Sequence, residues 1–481
     1  MRELIHVYHR AVTDVVTGFD GFVAKYMGDG VLAYFGYPHA NEDDAERAVR
    51  AGLGVIDALA RLDTSVSLQA RVGIATGLVV VGDLIGAASA QEQSVVGETP
   101  NLAARLQSLA EPGAVVIAAG TRNLVGKIFE YGDLGAVDLK GISGPVPAWQ
   151  VLGQSVVASR FEALRATSLI PLVGRDEEIE LLLRRWTQAK AGSGQSVLLT
   201  GEPGIGKSRI AAELQDRLRS EPHIELTYFG SPHYRDTPLH PFTAHFESAA
   251  GMSREDLPEA RLRKLEALLL QAEGGPAESF TLLADLLNLP SEGGQAVAAV
   301  EPQRKRELTF AALLQRLNRL SHQEPIFMLF EDAHWIDPTS HDLLGRIAEQ
   351  VPRLRLLLVV TARPEFRPPW SSAPHATVLA LNRLGAHEGQ ALAAFVAGGT
   401  RLPDEIVMQI VDRTDGVPLF VEELTKTVLE SGVLREQDGR FVSDVGGAQT
   451  ARCHPAQMLA EFGDDSSLAH PRRLYGCCHA A

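Results

Sequence analysis

The spacing of hydrophobic positions predicts that the first part of the chain alternates helices with short strands. Apolar residues recur every three or four positions over residues 3–18, which is the period of an amphipathic helix. Two β-rich runs, 22–27 and 31–35, then flank Gly28-Asp29-Gly30, and an Asp-Gly pair between such runs is a strong hairpin signal. The pattern therefore predicts Asp29 at a hairpin tip. Further helices are predicted over 42–61 and 99–109, and further strands over 70–76, 78–81, 115–118 and 149–152.

A different pattern occupies residues 172 to about 434, after a linker over 154–170 with a short helix predicted around 161–164. Nearly continuous apolar runs alternate here with helical stretches, which is typical of a parallel sheet covered on both faces. This part of the chain is therefore predicted to have an α/β fold. Its strands are predicted over 196–200, 224–229, 326–330, 356–360 and 377–381.

The first of these strands leads into a complete P-loop pattern, Gly201-Glu202-Pro203-Gly204-Ile205-Gly206-Lys207-Ser208. A strand before it and a helix after it supply the context that the pattern requires. Glycines let backbone N–H groups turn toward phosphates, and the start of the helix adds favourable partial charge. Lys207 is expected to reach the β- and γ-phosphates of ATP, and Ser208 to ligate Mg²⁺. The ATP site is assigned to Gly201, Gly204, Gly206, Lys207 and Ser208.

Polar residues follow two of the other apolar strands. Glu331 and Asp332 come directly after 326–330, where a P-loop protein needs an acid to hold Mg²⁺ and orient water. The alternative is a pair of solvated loop carboxylates. Thr361 and Arg363 end the next apolar run in the same way, where they could sense the γ-phosphate, although Arg363 could equally be a surface arginine.

Five motifs follow one another in this part: Val173-Gly174-Arg175, the P-loop, Glu331-Asp332-Ala333-His334-Trp335-Ile336-Asp337, Thr361-Ala362-Arg363 and Gly416-Val417-Pro418-Leu419-Phe420. Together they resemble the signal-transduction ATPases with numerous domains, relatives of AAA proteins, over roughly residues 170–435. The resemblance implies that Arg175 lies near the adenine and that Glu331 and Asp332 serve Mg²⁺ and hydrolysis. It places Pro418 on a small helical subdomain that closes over the nucleotide. Such proteins act as slow ATP-driven switches.

Two pairs of polar residues are candidates for chemistry in the first part of the chain. Lys25 precedes Asp29 by four residues, and Asn101 precedes Arg105 by four on a predicted helix, so the latter two share a face. Taken singly, each is explained as an ordinary turn, strand or helix-start residue. Two segments contain these residues, Lys25-Tyr26-Met27-Gly28-Asp29-Gly30 and Val95-Val96-Gly97-Glu98-Thr99-Pro100-Asn101-Leu102-Ala103-Ala104-Arg105. Two further segments are considered together with them, Arg71-Val72-Gly73-Ile74-Ala75-Thr76-Gly77 and Leu139-Lys140-Gly141.

In order and spacing, these segments resemble class III nucleotide cyclases over residues 1–153. The resemblance implies a ferredoxin-like α+β domain in which Asp29 holds a catalytic metal and Lys25 reads the purine edge. Asn101 and Arg105 would orient the ribose and stabilise charge on the phosphates. Ser94 falls where many such enzymes have an adenine-reading aspartate, and a hydroxyl there resembles the soluble, bicarbonate-responsive adenylate cyclases, with ATP as the substrate.

The reaction of that family is attack of the ribose 3′-hydroxyl on the α-phosphate, aided by a pair of Mg²⁺ or Mn²⁺ ions. Its sites form between two protomers, which implies a homodimer. The family carries a second metal aspartate on a strand before the first helix, whereas this sequence starts inside that helix, and neither Asp14 nor Asp20 can replace it. The missing strand is interior to the sheet, so its absence would expose backbone edges. We expect a truncated, cyclase-deficient domain; the alternative is an ATP-dependent regulator that uses this part for interaction.

Composition narrows the function classes further. The net charge of −15 argues against binding nucleic acid or anionic lipid through bulk positive charge. No apolar run approaches the roughly 20 residues that span a bilayer. We expect a cytoplasmic protein with an unidentified signalling partner. The three cysteines lie in a tail over 443–481, which has neither helical nor strand period and is expected to be disordered. His233, His240 and His245 lack metal-ligand spacing and are interpreted as solvated or locally hydrogen-bonded.

Overall fold

The chain divides into two compact units in the computed structural model, residues 1–169 with 450–481, and residues 170–449. No helix in the described part of the chain is long and apolar enough to span a membrane. The short helix predicted around 161–164 lies outside the described residues. The structure describes residues 2–37, 43–62, 68–78, 80–83, 93–96, 98–142, 144–155, 171–231, 234–253, 256–270, 277–291, 294, 297, 299–400, 402–430, 434–437, 440–443 and 473–480.

The first unit is built on a mixed sheet of seven strands with helices packed against it. Its helices are α1 (Arg2–Gly18), α2 (Asp44–Ala60), α3 (Glu98–Leu109) and α4 (Ala119–Val125). Its strands, numbered in chain order, are β1 (Phe22–Met27), β2 (Gly30–Tyr34), β3 (Val72–Leu78), β4 (Val80–Asp83), β5 (Gln93–Val96), β6 (Val115–Ala118), β7 (Phe129–Val137), β8 (Val146–Gln154) and β16 (Arg473–Ala480). The sheet order is β1-β2-β16-β3-β6-β8-β7, and β4 pairs separately with β5.

Alternate residues of the central strands enter two separate hydrophobic clusters in this unit. Val31 and Ala33 of β2 join the apolar faces of α1 and α2, while Tyr34 joins that of α3. This is the period-two burial of a sheet covered on both faces. The two strands predicted over 70–76 and 78–81 correspond to β3 and β4, but β3 continues through Gly77 to Leu78 and β4 begins at Val80. A Cβ atom on Gly77 would lie 2.5 Å from Thr99 Oγ1, so glycine permits the close approach of α3.

The strand β16 corrects the expectation that the whole tail stands outside the packed fold. Arg473–Ala480 lies between β2 and β3 and pairs antiparallel with both, with Cys478 opposite Ala33 and Ile74. Unpaired backbone groups on two facing strand edges are costly, and a strand inserted between them satisfies both. The sequence predicted that a strand interior to this sheet would be missing. In the structure β16, a segment from the far end of the sequence, occupies an interior position of the sheet.

The second unit contains a five-stranded, fully parallel sheet in the order β10-β11-β12-β9-β13. Its strands are β9 (Gln195–Thr200), β10 (Ile224–Phe229), β11 (Ile326–Glu331), β12 (Leu356–Ala362), β13 (Ala376–Ala380), and the hairpin β14 (Leu434–Gln437) and β15 (Arg440–Ser443). Its helices are α5 (Asp176–Lys190), α6 (Lys207–Leu218), α7 (His240–Ala249), α8 (Pro258–Leu270), α9 (Ala277–Leu286), α10 (Pro302–Gln323), α11 (Pro338–Gln350), α12 (Ala386–Val396), α13 (Asp404–Thr414) and α14 (Pro418–Glu430).

Both faces of this sheet are buried, as the continuous apolar runs predict. Every residue of β11 and β12 is buried, with Met328 in one cluster and its neighbours Phe327 and Leu329 in the other. Helices α12, α13 and α14 pack on one another after the last strand of the sheet, as a small helical subdomain. The predicted α/β fold class is confirmed. Because all five strands are parallel, the loops after β9, β11 and β12 lie at one edge of the sheet.

Candidate nucleotide sites

The P-loop has the backbone shape that phosphate binding requires. Gly204 and Gly206 have φ values of +77° and +100°, in the region that glycine adopts without strain. Lys207 is only 8% exposed, and its Nζ donates to the carbonyl oxygens of Gly201 at 3.0 Å and Glu202 at 2.9 Å. The lysine thus lies folded over its own loop. In these two contacts the ammonium group is hydrogen-bonded to backbone carbonyl oxygens and not to a carboxylate.

Arg175 is hydrogen-bonded to the backbone of the P-loop. Its guanidinium is buried and donates to the carbonyl oxygens of Ile205 at 3.3 Å and Asn382 at 2.6 Å. A third contact joins it to the carboxylate of Glu178 at 3.2 Å. These bonds tie the loop to the segment that follows β13. The residue that the resemblance places near the adenine therefore has a positioning role in the geometry of the loop.

The predicted acidic edge lies next to the predicted polar end of β12. The strands β11 and β12 are neighbours, and the backbone N–H of Asp332 donates to Thr361 Oγ1 at 3.0 Å. Asp332 has a φ of +52°, which is uncommon for a residue with a side chain and is a feature of functional sites. Glu331 is buried, and Asp332 is partly exposed. Thr361 therefore fixes the backbone that presents the Asp332 carboxylate.

Asp337, the last acid of the motif that begins at Glu331, has a structural role. Asp337 caps α11: its Oδ1 accepts from the N–H groups of Thr339 and Ser340, both at 2.9 Å. The hydroxyl of Ser340 donates to the other carboxylate oxygen at 2.5 Å. Asp337 is 1% exposed, so these bonds compensate its burial. This carboxylate is a structural cap at the end of the functional loop.

The helical subdomain contacts the P-loop through the start of α14. The N–H of Leu419, next to Pro418, donates to the carbonyl oxygen of Gly204 at 3.2 Å. One turn further on, the Glu422 carboxylate lies 2.9 Å from the guanidinium of Arg209, which follows Ser208 in the P-loop helix α6. Burial raises the pKa of Glu422, and the charge of Arg209 opposes that rise.

Sequence reasoning missed a further link between these segments. Arg383, just after β13, donates to the Glu202 carboxylate at 2.9 Å and pairs with Asp415. Glu202 belongs to the P-loop, and Asp415 ends α13. The three side chains are widely exposed, so this bridge contributes little to stability but connects the two segments geometrically. No local pattern around Arg383 signals it.

In the first unit the cyclase candidates lie on the elements predicted for them. Lys25 is exposed on β1, and Asp29 is exposed at the tip of the β1–β2 hairpin. Burial raises the pKa of the Tyr8 hydroxyl to about 12, and the nearby Asp29 charge adds to the rise, which places this carboxylate near α1. Asn101 and Arg105 are exposed on α3. Ser94 lies on β5, opposite Gly82, in a strand that was not predicted.

The remaining histidines have local roles. His240 stacks on Tyr234 with ring centroids 3.6 Å apart, and a ring nitrogen of His245 is hydrogen-bonded to the Thr227 carbonyl oxygen at 3.1 Å. Burial lowers the pKa of His245 to about 4. His233 lies outside the described residues. Within the described ranges, no group of three or more His, Cys, Asp or Glu side chains is arranged to hold a metal ion.

Two protein families match the sequence. The adenylate and guanylate cyclase catalytic domain matches residues 1–153, and the AAA ATPase domain matches residues 171–360. These matches confirm the resemblances drawn from the motifs. They cover the P-loop, the acidic pair and all four exposed cyclase candidates.

Several known proteins are similar to the chain. An uncharacterized protein of Rhizobium meliloti is 32% identical over 446 residues, which is 89% of this chain and 42% of that protein. Adenylate cyclase type 10 of Oryctolagus cuniculus is 22% identical over 88% of this chain and 27% of its own length. The crystal structure of the adenylyl cyclase CyaB from P. aeruginosa is 29% identical and covers 32% of this chain and 83% of that one, with a TM-score of 0.31. The chain spans less than half the length of these two curated relatives.

Proposed function

We propose that this chain, which joins an adenylate and guanylate cyclase catalytic domain to an AAA ATPase domain, is a signalling protein whose second unit binds ATP as a slow switch. The observation that carries the proposal is the meeting of three segments at one sheet edge. The P-loop follows β9, Asp332 follows β11 on a backbone fixed by Thr361, and α14 is hydrogen-bonded to the loop at Gly204. A phosphate cradle, an acid and a helical lid are the parts such a switch requires.

The residues at this edge fit a magnesium–ATP complex. The Ser208 hydroxyl and the Asp332 carboxylate are hard oxygen donors, which Mg²⁺ prefers, and the ion would neutralise charge on the β- and γ-phosphates. Lys207 would exchange its two carbonyl contacts for phosphate oxygens when ATP binds. Arg175 would hold the loop in place during that exchange, because its bonds to Ile205 and Asn382 join the loop to the segment after β13.

Titration of ATP with Mg²⁺ into the full chain tests this site. Lys207→Ala should remove high-affinity binding, because a buried ammonium that contacts phosphate has no substitute in the loop. Lys190→Ala is the matched control: it removes a lysine from the end of α5, where Nζ pairs with Glu221 at 2.6 Å, and should leave ATP affinity unchanged. Equal affinity in the parent chain and Lys207→Ala would refute the site.

For the first unit we propose the roles that the cyclase family implies. Asp29 would hold a metal, Lys25 and Ser94 would read the purine, and Asn101 and Arg105 would act on ribose and phosphates. The two residues on the hairpin and the two on α3 are exposed. That exposure suits a homodimer in which each protomer contributes part of the site.

The same residues do not complete a two-metal site. Two ions need more than one carboxylate, and Asp29 is the single acid among the candidates. We therefore propose that this chain does not make cyclic AMP by itself. A second candidate, an ATP-dependent regulator with an interacting cyclase-like unit, is favoured by the same incomplete acid set.

Cyclic AMP production from ATP with Mn²⁺ or Mg²⁺ separates these candidates. The assay compares this chain with a version extended upstream through a strand that carries the second metal aspartate. Activity only in the extended version would support an adenylate cyclase module. Activity in neither would favour the regulator, and activity in both would refute the proposed deficiency.

A further inference from the structure

Two arginines from different loops contact one indole ring at the sheet edge of the second unit. Trp335 ends a short 3-10 helix, Ala333–Trp335, directly after the acidic pair. The guanidinium carbon of Arg235 lies 4.0 Å from the Trp335 ring centroid, and that of Arg363 lies 4.9 Å from it. Both distances are within the range of cation–π attraction. The loops after β10, β11 and β12 thus meet on a single aromatic side chain.

The register of the sheet places this group beside the P-loop. Ala362 is paired with Thr200, the residue immediately before Gly201. Arg363, the first residue after β12, therefore lies at the same level of the sheet as Gly201, the first residue of the P-loop. Trp335 lies in the loop that follows the neighbouring strand β11, and the first residue of that loop, Asp332, donates its backbone N–H to Thr361 Oγ1. The indole is held by the same loop that presents the candidate Mg²⁺ acid.

Neither guanidinium of this group forms an ion pair with a carboxylate among the described side chains. The Arg363 side chain forms no hydrogen bond among the described residues, and the Arg235 guanidinium donates to a backbone carbonyl, that of His334, at 3.3 Å. Other arginines of the same unit are paired with acids, as Arg346 is with Glu307 at 2.7 Å. Two guanidinium groups on one ring repel each other, and a bound anion removes that repulsion. Their arrangement suits an anion of high charge.

We propose that Trp335 is a positioning residue that orients Arg363 and Arg235 toward the terminal phosphate of a nucleoside triphosphate. The pair then distinguishes ATP from ADP, because the diphosphate lacks the group that the two cations contact. This inference rests on the proposed ATP site at the P-loop. It adds to that site a second cation, Arg235, and an aromatic support that no P-loop pattern includes.

The test measures the affinities of the full chain for ATP and for ADP, each with Mg²⁺. Trp335→Leu and Arg235→Gln should weaken ATP binding roughly three- to tenfold and change ADP binding by less than about twofold. Trp335→Phe keeps an aromatic face and should retain most of the preference for ATP. Arg235 is exposed, so its variant tests the inference even if Trp335→Leu is less stable. Arg353→Gln, at the opposite end of β12, is the control with the same change of charge.

Each alternative result has a definite meaning. Equal weakening of ATP and ADP would overturn the inference, because it would show a general packing role for the indole. An unchanged ratio in both variants, or the same change in Arg353→Gln, would also overturn it. If these results accompany ATP binding that depends on Lys207, the proposed ATP site survives. Absence of Lys207-dependent binding in the parent chain would overturn both.

Discussion

Replacing Gly230 by alanine is predicted to displace the loop that carries the candidate Mg²⁺ acid. Gly230 follows β10, and its N–H donates to the Glu331 carbonyl oxygen at 2.8 Å. A Cβ atom on Gly230 would lie 2.2 Å from the carbonyl oxygen of Asp332 and 3.0 Å from its carbonyl carbon. Ordinary contact begins at 3.4 Å, so about 1.2 Å of separation must be gained (3.4 minus 2.2). Both atoms are backbone, so no side-chain rotation relieves the contact.

The expected magnitudes follow from that displacement. Overpacking of this size costs about 1–3 kcal/mol in the free energy of unfolding. The movement falls on Asp332, whose backbone is held at a φ of +52° by the bond to Thr361. A misplacement of about 1 Å can lower a catalytic rate about 100-fold. We therefore expect Gly230→Ala to lower ATP hydrolysis by about 10- to 100-fold, with ATP affinity at Lys207 nearly retained.

Phosphate release and chemical unfolding of the same samples measure both effects. Gly345→Ala is the matched control, because a Cβ atom at this position in α11 would have no atom within 4 Å. Alanine is favoured over glycine within a helix by about 0.5–1 kcal/mol, so the control should be slightly more stable and hydrolyse ATP normally. Unchanged hydrolysis in Gly230→Ala would refute the role given to this loop. Unchanged stability would refute the close approach itself.

Two further predictions concern stability. The unfolded pKa of His245 is near 6.5 and its folded pKa is about 4, so the unfolded chain takes up a proton first as the pH falls. The parent chain should lose up to about 3 kcal/mol of stability between pH 6.5 and 4 that His245→Phe does not lose; parallel pH profiles for the two would refute this. Deleting residues 473–480 should expose the facing edges of β2 and β3 and lower their amide-exchange protection, while the second unit melts unchanged. Unaltered protection would contradict the pairing.

The sequence predicted those elements whose signal is local. The hairpin around Asp29 followed from its turn residues, and the parallel strands of the second unit followed from apolar runs such as 326–330. The strands β5 and β7 and the helix α4 were missed, since they are short or lack a clear period. The strand β16 could not be predicted, because its position depends on strand edges far away in the sequence: Cys478 pairs with Ala33, 445 positions earlier, and with Ile74, 404 positions earlier.

The candidate ATP site shows the same division between local and tertiary information. Lys207, Ser208 and Asp332 stand at fixed offsets from the strands that precede them, so their places at the sheet edge follow from sequence spacing. The contacts that restrain them come from distant segments: Glu422 lies 213 residues from Arg209, and Asn382 lies 207 residues from Arg175. Such pairs depend on how β13 and α14 are placed beside the P-loop. A motif therefore locates the chemistry, whereas the tertiary packing decides how firmly each group is held.

The tertiary contacts of the P-loop provide a way for a bound nucleotide to affect the helical subdomain. The carbonyl oxygen of Gly204 accepts from Leu419, and the side chain of Glu202 bonds to Arg383, so two of the P-loop residues are already bonded to segments outside the loop. A phosphate that repositions the loop must alter those bonds, since hydrogen-bond energy falls steeply with distance and angle. The exposed Arg383 bridge is weak, whereas the Arg209–Glu422 pair is largely buried. Any movement of the helical subdomain is therefore expected to break the former before the latter.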